Sequence, residues 1–332
     1  MSNLTDLLPA GAGGKQVDFV ASGTIGNGVT VALKADGTVE AVSATGGGAE
    51  AGSPVVFEAD TLYTSDKETS VVFDPVNNKI VIAYADTGNS GYGTAIVGTV
   101  SGTSISFGTP VVFESASTAN PSMTFDSNAN KVVIAYRDIG ASLVGTAIVG
   151  TVSGTSISFG SPTVFNSGTR SYNITSVFDS NSNKVVIFYR DWGNSNYGTA
   201  IVATVSGTSI SFGSEVVFNS ASSSPFGACF DSSNNKTITP YTDFGNSSYG
   251  TAIVGTVSGT SISFGTATVF KAAAVASVGG IVFNSSGNKT VIAYKHGSYT
   301  LSAVVGTVSG TSISFGSEAN IGSYDVNSAS VT

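Results

Sequence analysis

Charge, sulfur and helix-forming residues are all scarce in this 332-residue chain. Charged residues make up 10% of it, against roughly a quarter in an ordinary globular protein. The net charge of −8 carries no basic stripe, which excludes the electrostatic footprint that nucleic-acid binding needs. A single cysteine, Cys229, excludes an intrachain disulfide and a cysteine-built metal site. The lone histidine, His296, stands in a loop where other copies of the same segment carry other residues, and reads as a substituted loop position. No run approaches the roughly 18 apolar residues of a membrane helix. The opening MSNLTDLLPAGAGG has neither the basic start nor the apolar stretch of a signal peptide. A protein of this kind working outside a cell is expected to leave by lysis or on a particle.

What is present is apolar, β-branched and repetitive. Apolar residues form 41% of the chain, enough for a core, and Val, Ile, Thr, Phe and Tyr prevail over helix formers. The octet SGTSISFG recurs five times without change, starting at Ser101, Ser153, Ser206, Ser258 and Ser309, at intervals of 52, 53, 52 and 51 residues. Such a period marks a repeat architecture. Each unit holds four strand candidates. In the second they are Ser122–Phe125 (A), Lys131–Tyr136 (B), Gly145–Val152 (C) and Thr155–Phe159 (D), with Thr163–Phe165 extending D. Strands B and C are apolar on both faces, while D alternates, Ile157 and Phe159 inward against Ser156 and Ser158 outward.

Four-stranded sheets of about fifty residues, covered on both faces, predict an all-β fold, a β-propeller. Five whole blades are expected at 69–118, 119–170, 171–222, 223–275 and 276–322. A sixth would be shared, with residues 15–68 supplying its B, C and D strands and 323–332 its closing A strand, after a flexible arm at 1–14. An Asp36-Gly37 hairpin signal lies in the first part, and Gly52–Glu58 matches Gly108–Glu114. The alternative is five blades with a separate N-terminal β adapter.

The A–B turns (DSNANK and its near copies) and the C–D turns (Ser-Gly) are nearly uniform and fall on one face; the B–C and D–A connections vary and fall on the other. Divergence confined to one rim points to recognition there. The B–C loops place Trp192 and Phe244 at equivalent tips, Tyr197 and Tyr249 after them, Arg137 and Arg190 before them, and a ring of Asp86, Asp138, Asp191 and Asp243. Rings beside amides, carboxylates and guanidinium groups suit sugars; the same aromatics could instead cap the spaces between blades, with the aspartates fixing the loops. Asp126, Asn128 and Asn130 offer alternate oxygens but no bidentate Glu follows, so Asx turns are expected and no metal or other cofactor. Glutamate is absent from the B–C loops, the carboxylate pair of a glycosidase is not evident, and the arginines Arg137, Arg170 and Arg190 come without the SxDxGxTW boxes of sialidases. A non-enzymatic protein is expected.

Residues 178–220, FDSNSNKVVIFYRDWGNSNYGTAIVATVSGTSISFGSEVVFNS, resemble repeat proteins of marine tailed phages (the cyanophage and pelagiphage kind), and the opening segment is similar to the start of their fibre and virion-surface proteins. The resemblance covers essentially the whole chain and implies a virion-surface component on tail or capsid, made in the host cytoplasm. Its N-terminal arm or uniform face would meet other virion proteins, and its variable rim a host-surface glycan. A purely structural decoration or fibre protein, or a hydrolase of host polysaccharide, are the other functions it leaves open.

Overall fold

The structure, a computed structural model, describes residues 31–33, 38–41, 52–59, 69–297 and 300–323. The chain divides into two units, Met1–Ser53 and Pro54–Thr332. In the first, β1 (Val31–Leu33) pairs antiparallel with β2 (Val39–Ala41), Val31 opposite Ala41. These are the strands expected to flank the Asp-Gly signal; the turn residues 34–37, the arm 1–14 and the proposed closing strand 323–332 lie essentially outside the described residues.

In the second unit, five consecutive four-stranded antiparallel sheets occur among the described residues. The first contains β3 (Thr69–Asp74), β4 (Lys79–Asp86), β5 (Tyr92–Ser101) and β6 (Ser104–Phe107). The second contains β7 (Val111–Asp126), β8 (Lys131–Asp138), β9 (Val144–Ser153) and β10 (Ser156–Phe159). The third contains β11 (Thr163–Asp179), β12 (Lys184–Asp191), β13 (Tyr197–Ser206) and β14 (Ser209–Phe212). In the fourth, strand A is broken into the end of β15 (Val216–Pro225) and β16 (Cys229–Asp231), followed by β17 (Lys236–Asp243), β18 (Tyr249–Ser258) and β19 (Ser261–Phe264). The fifth contains β20 (Thr268–Asn284), β21 (Lys289–His296), β22 (Thr300–Ser309) and β23 (Ser312–Phe315), with β24 (Ala319–Ser323) after it.

Each outer edge is made in two pieces. SISF pairs with the second half of strand C, and the residues after the FG pair with its first half: in the second sheet Ile157 faces Val152 while Thr163 faces Ala147. The same chain then runs on, still extended, into strand A of the next sheet. The segments expected as D–A loops, such as ESASTANPS, thus lie within strands. The redirection happens at bulges, where Asn120 and Asn173 take left-handed backbone (φ 51° each), a conformation asparagine tolerates better than most residues.

The sheets stack face to face with their A strands adjacent: the Ser70 hydroxyl accepts from the Met123 amide at 3.0 Å, and the Ser122 hydroxyl from the Ser176 amide at 2.9 Å. Between sheets the same three rings recur. Phe113, from the second piece of the first sheet's outer edge, packs on Tyr136 (5.2 Å) and Phe159 (5.7 Å) of the second sheet. Phe165, Phe218 and Phe270 repeat this against Tyr189 and Phe212, Tyr241 and Phe264, and Tyr294 and Phe315. Phe57 does the same to Tyr84 and Phe107, so residues 54–58 act as the outer-edge piece that the match to Gly108–Glu114 indicated. The five tyrosines are fully buried, and strands B and C of the second blade are buried on both faces. Successive four-stranded sheets stacked in this way are propeller blades.

The octet itself makes the second kind of contact. Its last glycine lies against the turn threonine of the next copy: a Cβ on Gly108, Gly160, Gly213 or Gly265 would stand 1.8–2.0 Å from the carbonyl oxygen of Thr155, Thr208, Thr260 or Thr311. SGT and FG are therefore two halves of one inter-blade joint, which explains why both recur unchanged.

Candidate functional site

The uniform face is built by Asx turns. Asp126 Oδ1 accepts from the amides of Asn128 and Ala129, both at 2.9 Å, and Asp74, Asp179, Asp231 and Asn284 repeat the arrangement. Asparagines 78, 130, 183, 235 and 288 close these turns in the left-handed region. One side-chain oxygen at the head of each turn is thus engaged by local amides, as expected of Asx turns.

On the opposite face, the B–C loops of the second, third and fourth blades are fastened three ways, and that of the first shares the aspartate cap. The aspartate after strand B caps its own loop: Asp86 accepts from Asn89 N (3.0 Å), Asp138 from Ala141 N (3.0 Å), Asp191 from Gly193 N (3.0 Å) and Asp243 from Gly245 N (3.0 Å). The tip amide reaches the strand-A side of its own blade, Ile139 N to Ser117 O, Trp192 N to Arg170 O and Phe244 N to Ser222 O. The loop's last carbonyl receives an amide of the next blade, Ser171 N to Leu143 O, Ser223 N to Asn196 O and Val275 N to Ser248 O. The B–C and D–A segments form one hydrogen-bonded belt, and the variable residues ride on it.

The belt holds the tips outward. Trp192 is 49% exposed and Phe244 42%. Around them the structure assembles a cluster from three blades. The Arg137 guanidinium lies 4.5 Å over the Tyr172 ring, Tyr172 sits 5.9 Å from Trp192, and Arg170 lies 5.8 Å over Trp192. Arg190 stands opposite Tyr172 in the β11–β12 register and reaches the Phe244 ring at 5.5 Å, its Nε donating to Asn196 Oδ1 at 2.8 Å. Burial lowers the Arg190 guanidinium from its ordinary value, and Tyr172 opposes that shift; an arginine remains charged nonetheless. Tyr197 and Tyr249 are half-buried at the starts of strands C, opposite Asp191 and Asp243 in register. Of the residues singled out in the sequence, then, Arg137, Arg190, Trp192 and Phe244 come together. The four aspartates take part in fastening loops, and the two tyrosines stand at the strand bases.

Tyr172 completes the cluster and was not singled out by sequence. The signal was there in the repeats: Arg170-Ser171-Tyr172 occupies the place of Ser117-Thr118-Ala119, Ser222-Ser223-Ser224 and Ala274-Val275-Ala276.

Beside this cluster, an open cleft of about 740 Å³ separates the second and third blades, lined by Phe165, Asn166, Ser167, Asp191, Asn194 and Glu215 among others. The Tyr189 hydroxyl donates to Glu215 Oε1 at 2.7 Å. Burial, with Glu215 beside it, pushes that phenol well above the usual tyrosine range, so it stays a neutral donor. The equivalent place between the fourth and fifth blades is filled by charge. There Glu318 accepts from Lys271 Nζ (2.5 Å), and His296 Nε2 lies 2.8 Å from its other oxygen and 3.1 Å from Ser302 Oγ. Lys271 and the Ser302 hydroxyl hold the Glu318 carboxyl down at about 2.

A depressed carboxylate contributes stability above its unfolded value, near 4.3, and loses it as pH falls toward the folded value. Because the pair is partly exposed to solvent, screening keeps the contribution to about 1 kcal/mol. Glu318→Gln is therefore expected to lower stability by that amount at pH 7. The deficit against wild type shrinks between about pH 5 and pH 2, as urea unfolding across that range would record.

Cys229 is buried in strand A of the fourth blade, its thiol pushed up by desolvation, which makes it unreactive. Among the described residues no helix is long and apolar enough to cross a membrane.

No family model matches the chain, and no curated protein matches it. Solved structures with the same fold include a triple arginine-to-alanine mutant of AofleA from Arthrobotrys oligospora (TM-score 0.52, 9% identity, 81% of this chain and 76% of that one). They also include a single-substitution mutant of Aleuria aurantia lectin AAL in complex with Fucα1-6GlcNAc (TM-score 0.50, 11% identity, 79% of this chain and 80% of that one). At these identities the likeness is one of fold.

Proposed function

We propose that this protein is a non-enzymatic, glycan-binding β-propeller of a phage particle, its variable rim turned toward the host surface and its uniform face or N-terminal arm toward other virion proteins. The observation that carries the binding role is the chain's one tryptophan, half exposed at a loop tip that backbone hydrogen bonds hold in place, next to a second ring and a guanidinium group. An indole fixed in this way offers an apolar plane to the C–H face of a sugar at little entropic cost. The shared fold agrees with this, since one protein of that fold is a lectin seen holding a fucosylated disaccharide. The phage setting rests on the sequence resemblance alone. Six-bladed closure belongs to the same reading, and is supported by Phe57 packing on the first complete blade as later phenylalanines pack on theirs.

The test is a glycan array and a host-cell binding assay with wild type beside Trp192→Ala. Wild type is expected to bind, and the variant, with an unchanged melting curve, to bind about tenfold more weakly, as loss of one stacked ring implies. Binding that is equal in both would remove the rim from the account. Absence of any binding by wild type would favour a purely structural virion protein, and release of reducing sugar from host polysaccharide a hydrolase.

A further inference from the structure

The arginines of this chain are gathered on one face, while five lysines mark the other. Lys79, Lys131, Lys184, Lys236 and Lys289 each begin a strand B, at the uniform turns. The chain has three arginines, Arg137, Arg170 and Arg190, and all three lie in the rim cluster, around Tyr172 and Trp192. Among the described residues, Arg170 and Arg190 form no ion pair. The neighbouring aspartates are turned to other work: Asp138 and Asp191 are buried and accept amides of their own loops, and Asp191 lines the cleft of the preceding gap. Strand alternation separates them, because Arg190 points across the gap to Phe244 of the fourth blade while Asp191 faces the second. Guanidinium is the cation that both stacks on rings and binds planar or tetrahedral oxyanions through paired N–H donors.

Resting on the glycan-binding reading above, we propose that the rim site is specific for an acidic saccharide, whose carboxylate or sulfate is held by Arg170 and Arg190 while its ring lies on Trp192. Arg137, stacked on Tyr172, completes the positive border. Arg170 is exposed on the strand-A side, and Arg190 is held in place by Asn196, so one arginine is free to adjust while the other is already positioned.

Affinity electrophoresis through gels containing polygalacturonate, dextran sulfate, neutral dextran or single-stranded DNA tests this with wild type, Arg170→Gln, Arg190→Gln and, on the opposite face, Lys131→Gln. Retention by polygalacturonate, dextran sulfate or both is expected, and which of them retains distinguishes carboxylate from sulfate. It should weaken about tenfold in Arg170→Gln and in Arg190→Gln, fall with added salt, and stay unchanged in Lys131→Gln. Retention by neutral dextran equal to that by the charged polymers would overturn the acidic specificity and leave glycan binding standing. Equal retention by single-stranded DNA, or a loss in Lys131→Gln as large as in Arg170→Gln, would reduce the effect to general polyanion attraction. No retention by any saccharide would remove both readings. Arg170→Gln is a surface change, and its melting curve separates lost binding from lost folding.

Discussion

Gly213→Ala is expected to destabilise the protein by about 3 kcal/mol, whereas Gly207→Ala, six residues earlier in the same octet, costs only about 1–2 kcal/mol. At Gly213 the added methyl would meet the Thr260 carbonyl oxygen at 1.8 Å. That atom belongs to the backbone of the next blade's turn, so relief requires two sheets to move apart along their stacked faces. Gly207 takes φ +61° with nothing within 4 Å of the added carbon, so alanine there suffers only left-handed strain. Urea unfolding of the two variants measures the difference. Equal costs would mean that the FG of one copy does not seat against the SGT of the next.

The second large effect is at the rings. Phe218→Ala should cost about 3–5 kcal/mol, the range for deleting a buried phenylalanine with incomplete collapse of the space. Phe218 is buried, lies 5.2 Å from Tyr241 and 5.8 Å from Phe264, and fills the volume above Gly198, where a Cβ would meet its ring at 2.4 Å. Phe57, the half-buried first member of the series, should cost less when truncated. A loss of under about 1 kcal/mol for Phe218→Ala would contradict face-to-face stacking of the third and fourth blades.

These two contacts also show what could be read before the structure. The period of SGTSISFG, the apolar B and C strands and the alternating D strand carry the four-stranded unit in local pattern, because side-chain direction in a strand has a period of two. The two-piece outer edge was legible too, since Thr163–Phe165 repeats the apolar pattern after the FG. The extended path through Ser115–Ser122 was not, because Ser, Ala, Asn and Pro there look like loop residues; their strand pairing comes from the neighbouring B strand and a left-handed Asn120. At the rim, repeat comparison located the variable positions but not their partners. Arg137 meets Tyr172, 35 positions along the chain and in the next blade, a contact that no local periodicity encodes. The aspartates illustrate the reverse: Asp191 could have faced a ligand or its own loop, and only the Gly193 amide at 3.0 Å shows that it caps the loop.

The central claim, that recognition belongs to the variable rim, is tested most directly by amide hydrogen exchange of the full chain with and without a saturating saccharide found to bind it. The account predicts slowed exchange in the B–C loops and adjoining strand-A starts of the second to fourth blades, around 137–143, 170–173, 190–196 and 243–248. The uniform turns at 126–131 and 179–184 should be unchanged. Protection confined to those turns, with the rim unaffected, would contradict it.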